Sequence, residues 1–222
     1  MAVLDTKIKD LIDGFHEPLD DELRELRKSN EAEEVPLIMR ETEGVLRLIL
    51  SLIKPKRILE LGTAHDYSAL FFAKLLPEAH VTTVDRNPYM IENAVEVFAS
   101  HSEGKRIELR TGDALETLET LRNEMASDEN SEKFDFIFID AAKSHYKEFL
   151  DIIEDISTED AFIVCDNILL KGWLVDGQGK EAKRHRTNIK YMRQFLEYIK
   201  ERDDLEVTIL SSGDGMAIIR RK

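Results

Sequence analysis

The residues best suited to chemistry are three oxygen donors that follow two apolar runs of the chain. Asp140 follows F-D-F-I-F-I, and Asp166 and Asn167 follow A-F-I-V-C. If the two runs are neighbouring parallel strands, their carboxyl ends meet at one edge of the sheet and the three side chains come together. Two carboxylates and one amide oxygen suit a hard divalent cation such as Mg²⁺, whereas zinc prefers thiolates and imidazoles. The alternative is that Asp166 and Asn167 only cap a loop.

Lys143 stands three residues after Asp140, in the pattern D-x-x-K. A divalent cation that binds two neighbouring substrate oxygens lowers the pKa of a hydroxyl among them. Lys143 is the candidate to accept the hydroxyl proton, and Asp140 completes the predicted catalytic pair. The alternative for Lys143 is a surface lysine paired with an acid.

A second group of residues surrounds a predicted glycine turn. The segment from Arg57 to Ser68 reads R-I-L-E-L-G-T-A-H-D-Y-S. Its apolar run predicts a buried strand that ends at Gly62, with a helix behind it. A glycine at this place lets a ligand approach the backbone closely, and the start of the helix offers free N–H groups. Glu60, in the strand just before the turn, is predicted to meet a cationic or polyhydroxylated ligand.

Acidic residues also mark the ends of the next two predicted strands. Asp85 ends the second strand, where a carboxylate can accept hydrogen bonds from both hydroxyls of a ribose. The third strand is followed by Gly112, Asp113 and Ala114. Asp113 can accept from an exocyclic amine such as that of adenine, or it can cap the following helix, and the two roles are compatible.

Taken in this order, the motifs resemble those of the class I S-adenosylmethionine (SAM) methyltransferases. The D-x-x-K and D-N motifs are similar to those of the metal-dependent O-methyltransferases of the catechol and caffeoyl-CoA type. The resemblance runs from about residue 36 to the C-terminus and implies SAM and Mg²⁺ as cofactors. It implies Asp140, Asp166 and Asn167 as metal ligands. The residues it implies for cofactor binding are Glu60, Gly62, Thr63, Ser68, Asp85, Asp113, Ala114 and Asp140.

One position departs from that family, which usually has a second glycine where this chain has Asp66. An extra carboxylate beside the cofactor would favour a sulfonium electrostatically, or it would crowd the methionine moiety. A third interpretation is a tolerated substitution, because aspartate serves well in turns.

The elements that must position these residues follow from the period of the apolar side chains. Strands are predicted at 57–61, 80–85, 106–111, 134–140, 161–166, 205–211 and 215–221, and helices at 41–53, 67–76, 88–101, 113–126, 146–156 and 187–202. Strands that alternate with helices predict a parallel sheet covered on both faces. The turn Ser212-Gly213-Asp214-Gly215 predicts a hairpin. The predicted fold is α/β: a Rossmann-like, doubly wound, mostly parallel seven-stranded sheet with the last strand antiparallel and helices on both faces.

Length and composition predict a single domain of 222 residues. We divide residues 1–222 into a helical arm at 1–34, with helices at 3–16 and 19–29, and a catalytic core at 35–222. The arm is interpreted as a lid or as a dimer-packing element. No apolar run is long enough to cross a bilayer, and the single cysteine agrees with a reducing compartment. We therefore predict a cytoplasmic protein without a membrane partner.

One basic segment contrasts with an acidic chain. The formal net charge of −14 argues against broad, non-specific nucleic-acid binding. Residues 171–193, however, hold seven Lys or Arg against two Asp or Glu, a local charge of +5, shortly after the predicted metal ligands. Such a segment suits phosphate contacts, and Trp173 and His185 could stack on an unpaired base. The alternative is a solvated helix face.

The motifs D-N-I-L-L-K-G-W, K-R-H-R and G-D-G-M-A-I-I resemble a bacterial branch of the family. That branch methylates the 5-hydroxyl of 5-hydroxyuridine at the tRNA wobble position, which gives 5-methoxyuridine. The resemblance implies the tRNA anticodon loop as partner, and together with the arm it favours a homodimer. The candidate substrate contacts are Arg40, Lys171, Trp173, Lys183, Arg184 and Arg186.

Alternatives stay open at this point. Arg40 could pair with nearby acids instead of a phosphate or a base. The acceptor could be a small catechol or a caffeoyl-CoA-like ester. The chain could also be a SAM- or RNA-binding module in which catalysis is impaired.

Overall fold

The computed structural model describes residues 11–63, 66–128, 130–176 and 180–222. Within these residues, seven strands form one sheet in the order β3-β2-β1-β4-β5-β7-β6. The strands are β1 (Arg57–Leu61), β2 (His80–Asp85), β3 (Ile107–Thr111), β4 (Phe134–Ile139), β5 (Ser157–Cys165), β6 (Leu205–Leu210) and β7 (Met216–Arg221). Strands β1 to β5 are parallel, and β7 is antiparallel to both neighbours. The predicted sheet is confirmed, including its antiparallel last strand.

The helices that the structure bounds follow the predicted ones closely. They are α1 (Asp21–Ala32), α2 (Arg40–Ile53), α3 (Tyr67–Leu75), α4 (Pro88–Ser100), α5 (Ala114–Ser127), α6 (Tyr146–Ile156), α7 (Trp173–Asp176), α8 (Lys180–Arg184) and α9 (Arg186–Glu201). The predicted helix at 3–16 lies largely outside the described residues, of which 11–13 are helical. In the described part of the chain, no helix is both long and apolar enough to cross a membrane.

The stretch after β5 differs from its prediction. The predicted elements leave a loop between the strand at 161–166 and the helix at 187–202, but this stretch contains the short helices α7 and α8. The reason is that Trp173, Leu174 and Ala182 pack against the hydrophobic core, so this stretch has an apolar side to bury.

Helices cover both faces of the sheet, as predicted. On one face α5, α6 and α9 pack on a cluster that includes Phe149, and on the other α1 to α4 pack on a cluster that includes Phe72. Successive residues of a strand point to opposite faces, so Phe138 and Ile139 of β4 belong to different clusters. Because both faces are buried, polar side chains that serve a ligand are left at the strand ends.

Helix α1, the described helix of the predicted arm, is built into the core. Leu23 is fully buried, and Arg27 is only 3% exposed. The Arg27 guanidinium lies over the Tyr67 ring and donates to the Tyr67 hydroxyl (3.2 Å), to Glu43 Oε2 (2.6 Å) and to the Ile38 carbonyl. These bonds tie α1 to α2 and to the start of α3, so α1 supports Ile38 and Tyr67 from behind.

Candidate active site

The glycine turn brings the ends of β1 and β4 into close contact. Gly62 has a φ of 103°, and a Cβ placed on it would lie 2.3 Å from the Asp140 carbonyl oxygen. Gly62 N donates to Val84 O at 2.9 Å, and Asp140 N donates to Leu61 O at the same distance. Only glycine fits this backbone and this contact. The turn therefore fixes where the Asp140 side chain leaves the sheet.

A crevice lies at the carboxyl ends of the strands, with Gly62 and Asp140 bordering both of its halves. One half is lined by Pro36, Leu37, Ile38, Thr63, Tyr67 and Ser68. The other half is lined by Val84, Asp85, Arg86, Gly112, Asp113, Ala114, Ala141, Ala142, His145 and Phe149. In open α/β sheets this is the place where ligands bind. All predicted cofactor-binding residues except Glu60 line this crevice.

Glu60 does not line the crevice, contrary to its expected direct contact with a ligand. It is fully buried, and its Oε2 accepts from Thr83 Oγ1 at 2.5 Å. Thr83 Oγ1 in turn lies 2.6 Å from Thr63 Oγ1, which does face the crevice. Burial raises the pKa of Glu60 to about 8, even though hydrogen bonding to Ser68 and Thr83 lowers it. Glu60 is thus separated from the crevice by the hydroxyl side chains of Thr83, Thr63 and Ser68.

Asp113 serves as a helix cap. Its Oδ1 accepts from Leu115 N at 2.9 Å, and its Oδ2 accepts from Arg86 Nη1 at 3.1 Å across the crevice. Both of its carboxylate oxygens therefore have a protein partner here. Asp85 Oδ1 accepts from Asn87 N at 2.8 Å. Arg86 was not predicted as a site residue, although it follows directly on Asp85 in the chain.

Asp66 occupies a backbone conformation that favours glycine. Its φ is 95° and its ψ is −19°, and it is 1% exposed. Asp66 Oδ1 is buried without a hydrogen-bond partner among the described residues. Burial raises the pKa of this carboxyl to about 7. The departure from the family's glycine therefore has a conformational and an electrostatic cost.

The predicted metal ligands come from adjacent strand ends. Ile139 of β4 pairs with Cys165 of β5, so the next residues, Asp140 and Asp166, leave the sheet side by side. Lys143 Nζ lies 2.6 Å from Asp140 Oδ1 and 3.5 Å from Asn167 Oδ1. The amine of Lys143 thus lies between two of the three predicted ligands.

Asp166 completes this group with an unusual carboxylate. The residue is 1% exposed, its Oδ1 accepts from Asn167 N at 2.7 Å, and its Oδ2 has no partner among the described residues. Burial, and next the charge of Asp140, raise the pKa of Asp166 to about 7. No cluster of three or more His, Cys, Asp or Glu arranged as metal ligands occurs in the described ranges. The predicted set has only two carboxylates, because its third oxygen comes from an amide.

Lys143 is held by a tyrosine that the sequence analysis missed. Lys143 Nζ donates to Tyr146 Oη at 2.7 Å, and that hydroxyl lies 2.9 Å from Asp166 O and 3.0 Å from Ile139 O. Burial raises the pKa of Tyr146 well above its ordinary value, so the phenol stays protonated and can donate to a carbonyl. The Lys143 side chain is 13% exposed and pairs with Asp140, so Lys143 is paired with an acid, as its alternative expected, but it is largely removed from solvent. The only sequence signal for Tyr146 is its place three residues after Lys143.

The two aromatic side chains predicted to stack on a base stack on each other. The Trp173 and His185 rings are nearly parallel, at 17°, with their centroids 4.8 Å apart. Trp173 begins α7 and His185 directly follows α8, so these two helices bring the rings together. Lys171 Nζ lies 5.9 Å from the Trp173 ring centroid. A base could therefore use only a ring face that the pair leaves open.

The basic segment forms a groove along α8 and α9. The groove is lined by Ala182, Lys183, Arg186, Ile189, Lys190, Arg193 and Gln194, so its charged lining residues are all cationic. Arg184 is not among these residues and instead pairs with Glu181 at 3.1 Å. Arg40 begins α2, two residues after Ile38 of the crevice, and makes no ion pair with any residue that the structure describes. The predicted substrate residues thus fall at separate places along the crevice and the groove.

Known proteins resemble this chain in sequence and in fold. A family model described as O-methyltransferase matches residues 14–222. A caffeoyl-CoA O-methyltransferase of Medicago sativa is 30% identical, over 79% of this chain and 71% of that protein. A catechol O-methyltransferase of Niastella koreensis is 30% identical, over 78% and 76%. The structure of the O-methyltransferase TomG of Streptomyces achromogenes, in complex with SAM, has a TM-score of 0.76 at 25% identity and covers 91% of this chain and 90% of that one.

Proposed function

This chain belongs to the O-methyltransferase family, and on that premise we propose that it is a SAM- and Mg²⁺-dependent enzyme that methylates the 5-hydroxyl of 5-hydroxyuridine in the tRNA wobble position. The observation that carries the chemistry is the group of oxygen donors around Lys143, beside a crevice suited to a nucleoside. The observation that supports RNA as the substrate is the cationic groove on α8 and α9.

The residues around Lys143 fit a divalent cation. Asp166 Oδ2 is a buried carboxylate oxygen without a partner in the described part of the chain, and such an oxygen is costly unless a cation or donor satisfies it. Asp140, Asp166 and Asn167 would hold the ion through hard oxygen ligands, which Mg²⁺ prefers. A bound Mg²⁺ would supply positive charge that acidifies a substrate hydroxyl next to a second oxygen.

The crevice residues would hold SAM, whose sulfonium supplies the methyl group. Asp85 is placed for the ribose hydroxyls, and Gly62 allows close approach to the backbone. Thr63 and Ser68 line the other half of the crevice, where the methionine part would lie. The family membership and the SAM complex of TomG support this assignment.

The proton of the acceptor hydroxyl would pass to Lys143. Its Nζ is fixed by Asp140 Oδ1 and by the Tyr146 hydroxyl, so its position does not depend on a flexible side chain. A fixed position is the first requirement for general base catalysis, and the amine must also be unprotonated when it accepts the proton. In 5-hydroxyuridine the 5-hydroxyl and the 4-carbonyl oxygen are neighbours. Both oxygens could therefore bind a cation beside the Lys143 amine.

A second candidate function is the methylation of a small catechol or a caffeoyl-CoA-like ester. The names of the relatives from Medicago sativa and Niastella koreensis favour it. Such a substrate would need no contact with the groove on α8 and α9. A third candidate, a binding module with impaired catalysis, is favoured by the strained and buried Asp66.

The test is nucleoside mass spectrometry of tRNA from cells that lack this gene. The proposal expects 5-hydroxyuridine to accumulate and 5-methoxyuridine to disappear, with both changes reversed by the wild-type gene and not by the Asp166→Ala variant. An unchanged tRNA profile, together with efficient turnover of catechols by the purified protein, would establish the second candidate instead. Cofactor binding without transfer to any acceptor would establish the third.

A further inference from the structure

The loop that carries Asn167 is strained. Asn167, Leu170 and Lys171 have φ values of 56°, 49° and 55°, in the left-handed region that side chains with a Cβ disfavour. Asparagine tolerates this region better than leucine or lysine does. A loop with this conformation persists only if its surroundings hold it in place.

The turn between β6 and β7 holds the loop from the other side. Ile168 N donates to Gly215 O at 3.0 Å, and Leu169 N donates to Asp214 O at 2.9 Å. A Cβ on Gly215 would lie 2.2 Å from Leu169 Cγ, so the turn and the loop are in tight contact. These contacts involve backbone atoms of the turn and are independent of its side chains.

One side chain adds a further bond to the strained part of the loop. Asp214 Oδ1 accepts from Lys171 N at 2.6 Å, across 43 positions of the chain. Lys171 has one of the strained backbone angles, and its neighbour Leu170 has another. The bond therefore acts where the loop most needs support. Hydrogen bonds to a charged acceptor are stronger than neutral ones.

We propose that Asp214 is a positioning residue for the metal site: its carboxylate holds Lys171 N and so keeps the loop in the conformation that directs the Asn167 amide oxygen toward Asp140 and Lys143. The metal role of Asn167 in this inference rests on the proposed function. The β6–β7 turn contributes no predicted metal ligand, but through Asp214 it determines the geometry of a predicted ligand, Asn167. It also places Lys171, a predicted substrate residue, under the control of Asp214.

The test compares Asp214→Ala with Asp214→Asn in the full-length protein. The asparagine can still accept from Lys171 N, whereas the alanine cannot. Hydrogen exchange, measured without metal or substrate, should be at least tenfold faster at the Lys171 amide in Asp214→Ala than in the wild type. Mn²⁺ affinity, measured by electron paramagnetic resonance, should fall roughly 10- to 100-fold in the same variant. Asp214→Asn should restore most of both, and SAM affinity should stay unchanged in each.

Asp203→Ala is the matched control, because Asp203 is an exposed acid in the turn before β6. It should leave exchange and Mn²⁺ affinity at wild-type values. Unchanged exchange at Lys171 in Asp214→Ala would overturn the inference. Equal losses of Mn²⁺ affinity in both Asp214 variants would also overturn it, because charge and not position would then matter. A protein that shows the expected differences but methylates no tRNA would contradict the proposed substrate and still support the positioning role.

Discussion

At the scale of single residues, the site places a lysine amine among acids that are themselves poorly solvated. Lys143 Nζ contacts Asp140, and Asp166 lies beside them with an oxygen that has no partner in the described residues. The raised pKa of Asp166, about 7, results mainly from burial and then from the charge of Asp140. A charge buried in this way lowers the stability of the folded state and is retained where it serves a ligand.

Asp166→Asn should therefore change stability and function in opposite directions. Removal of the buried charge should raise the free energy of unfolding at pH 8, because the folded pKa of about 7 lies above the ordinary value of 3.8. Loss of a proposed ligand oxygen should lower Mn²⁺ affinity and methyl transfer by at least about tenfold. Urea denaturation and Mn²⁺ titration measure the two effects. Asp160→Asn, at an exposed position of the same strand, should change neither.

Asp66→Gly should stabilise the protein by about 1–3 kcal/mol at pH 7.5, because it relieves the left-handed backbone and removes the buried carboxyl. The folded pKa of Asp66, about 7, is above its ordinary value of 3.8. Its contribution to stability is thus complete below pH 3.8 and is lost as the pH rises to about 7. Urea denaturation across this window should show a smaller loss of stability in Asp66→Gly than in the wild type.

Lys54→Gly is the matched control for that experiment. Lys54 also has a left-handed backbone, with a φ of 48°, but its side chain is exposed at the end of α2. The substitution should stabilise the protein without changing the pH dependence. A pH dependence that is the same in Asp66→Gly as in the wild type would show that Asp66 does not titrate in this range.

At the scale of the elements, α1 is joined to the crevice by one buried ion pair. Arg27 and Glu43 are 3% and 4% exposed, and both contact Tyr67, which lines the crevice. Arg27 also donates to the carbonyl of Ile38, another lining residue. Helix α1, which was predicted as part of a lid or dimer-packing arm, therefore supports two residues that line the site.

Arg27→Met should destabilise the protein by about 3–5 kcal/mol, because it leaves the Glu43 charge buried with the Tyr67 hydroxyl but without an opposite charge. Chemical denaturation at pH 7 measures this. The double variant Arg27→Met, Glu43→Leu should recover a large part of the loss, because both charges are then absent. Arg24→Met, at a more exposed position of the same helix, should stay within about 0.5 kcal/mol of the wild type. A loss from Arg27→Met no larger than that would contradict the buried pair.

At the scale of the whole molecule, the positions of the charges bear more on RNA binding than the net charge does. The chain carries a formal net charge of −14, and yet the groove on α8 and α9 has only cations among its charged lining residues. An acidic surface repels a polyanion everywhere except at such a place, so it limits the ways in which RNA can bind. An uncharged catechol would not be attracted by this distribution of charge.

The double variant Lys183→Ala, Arg186→Ala should weaken binding of tRNA and spare binding of SAM. Filter binding across a range of salt concentrations should show a smaller salt dependence, by roughly 0.7–0.9 in slope for each lost phosphate contact. Arg184→Ala removes a neighbouring cation that does not line the groove and pairs with Glu181. It should have a smaller effect on both measurements. Equal effects of the two changes would indicate attraction by overall charge without a defined groove.

The sequence by itself determined the sheet and the residues at its edge. Apolar runs of strand length alternate with helical periods, and buried parallel strands leave polar side chains only at their ends. Asp85, Asp140 and Asp166 stand at such strand ends. The role of Gly62 in the first turn also follows from the sequence, because a glycine after a strand permits a close approach to the backbone that a Cβ would block.

Only the tertiary structure decided how side chains from distant segments meet. Glu60 is buried behind hydroxyl side chains that border the crevice. The Trp173 and His185 rings stack on each other, and Asp214 accepts from Lys171 N across 43 positions of the chain. Local pattern cannot give these contacts, because they depend on how packed helices and turns from separate parts of the chain fill the same space. Periodicity fixes the direction in which a side chain leaves its own element, and packing between elements decides which residues that side chain contacts.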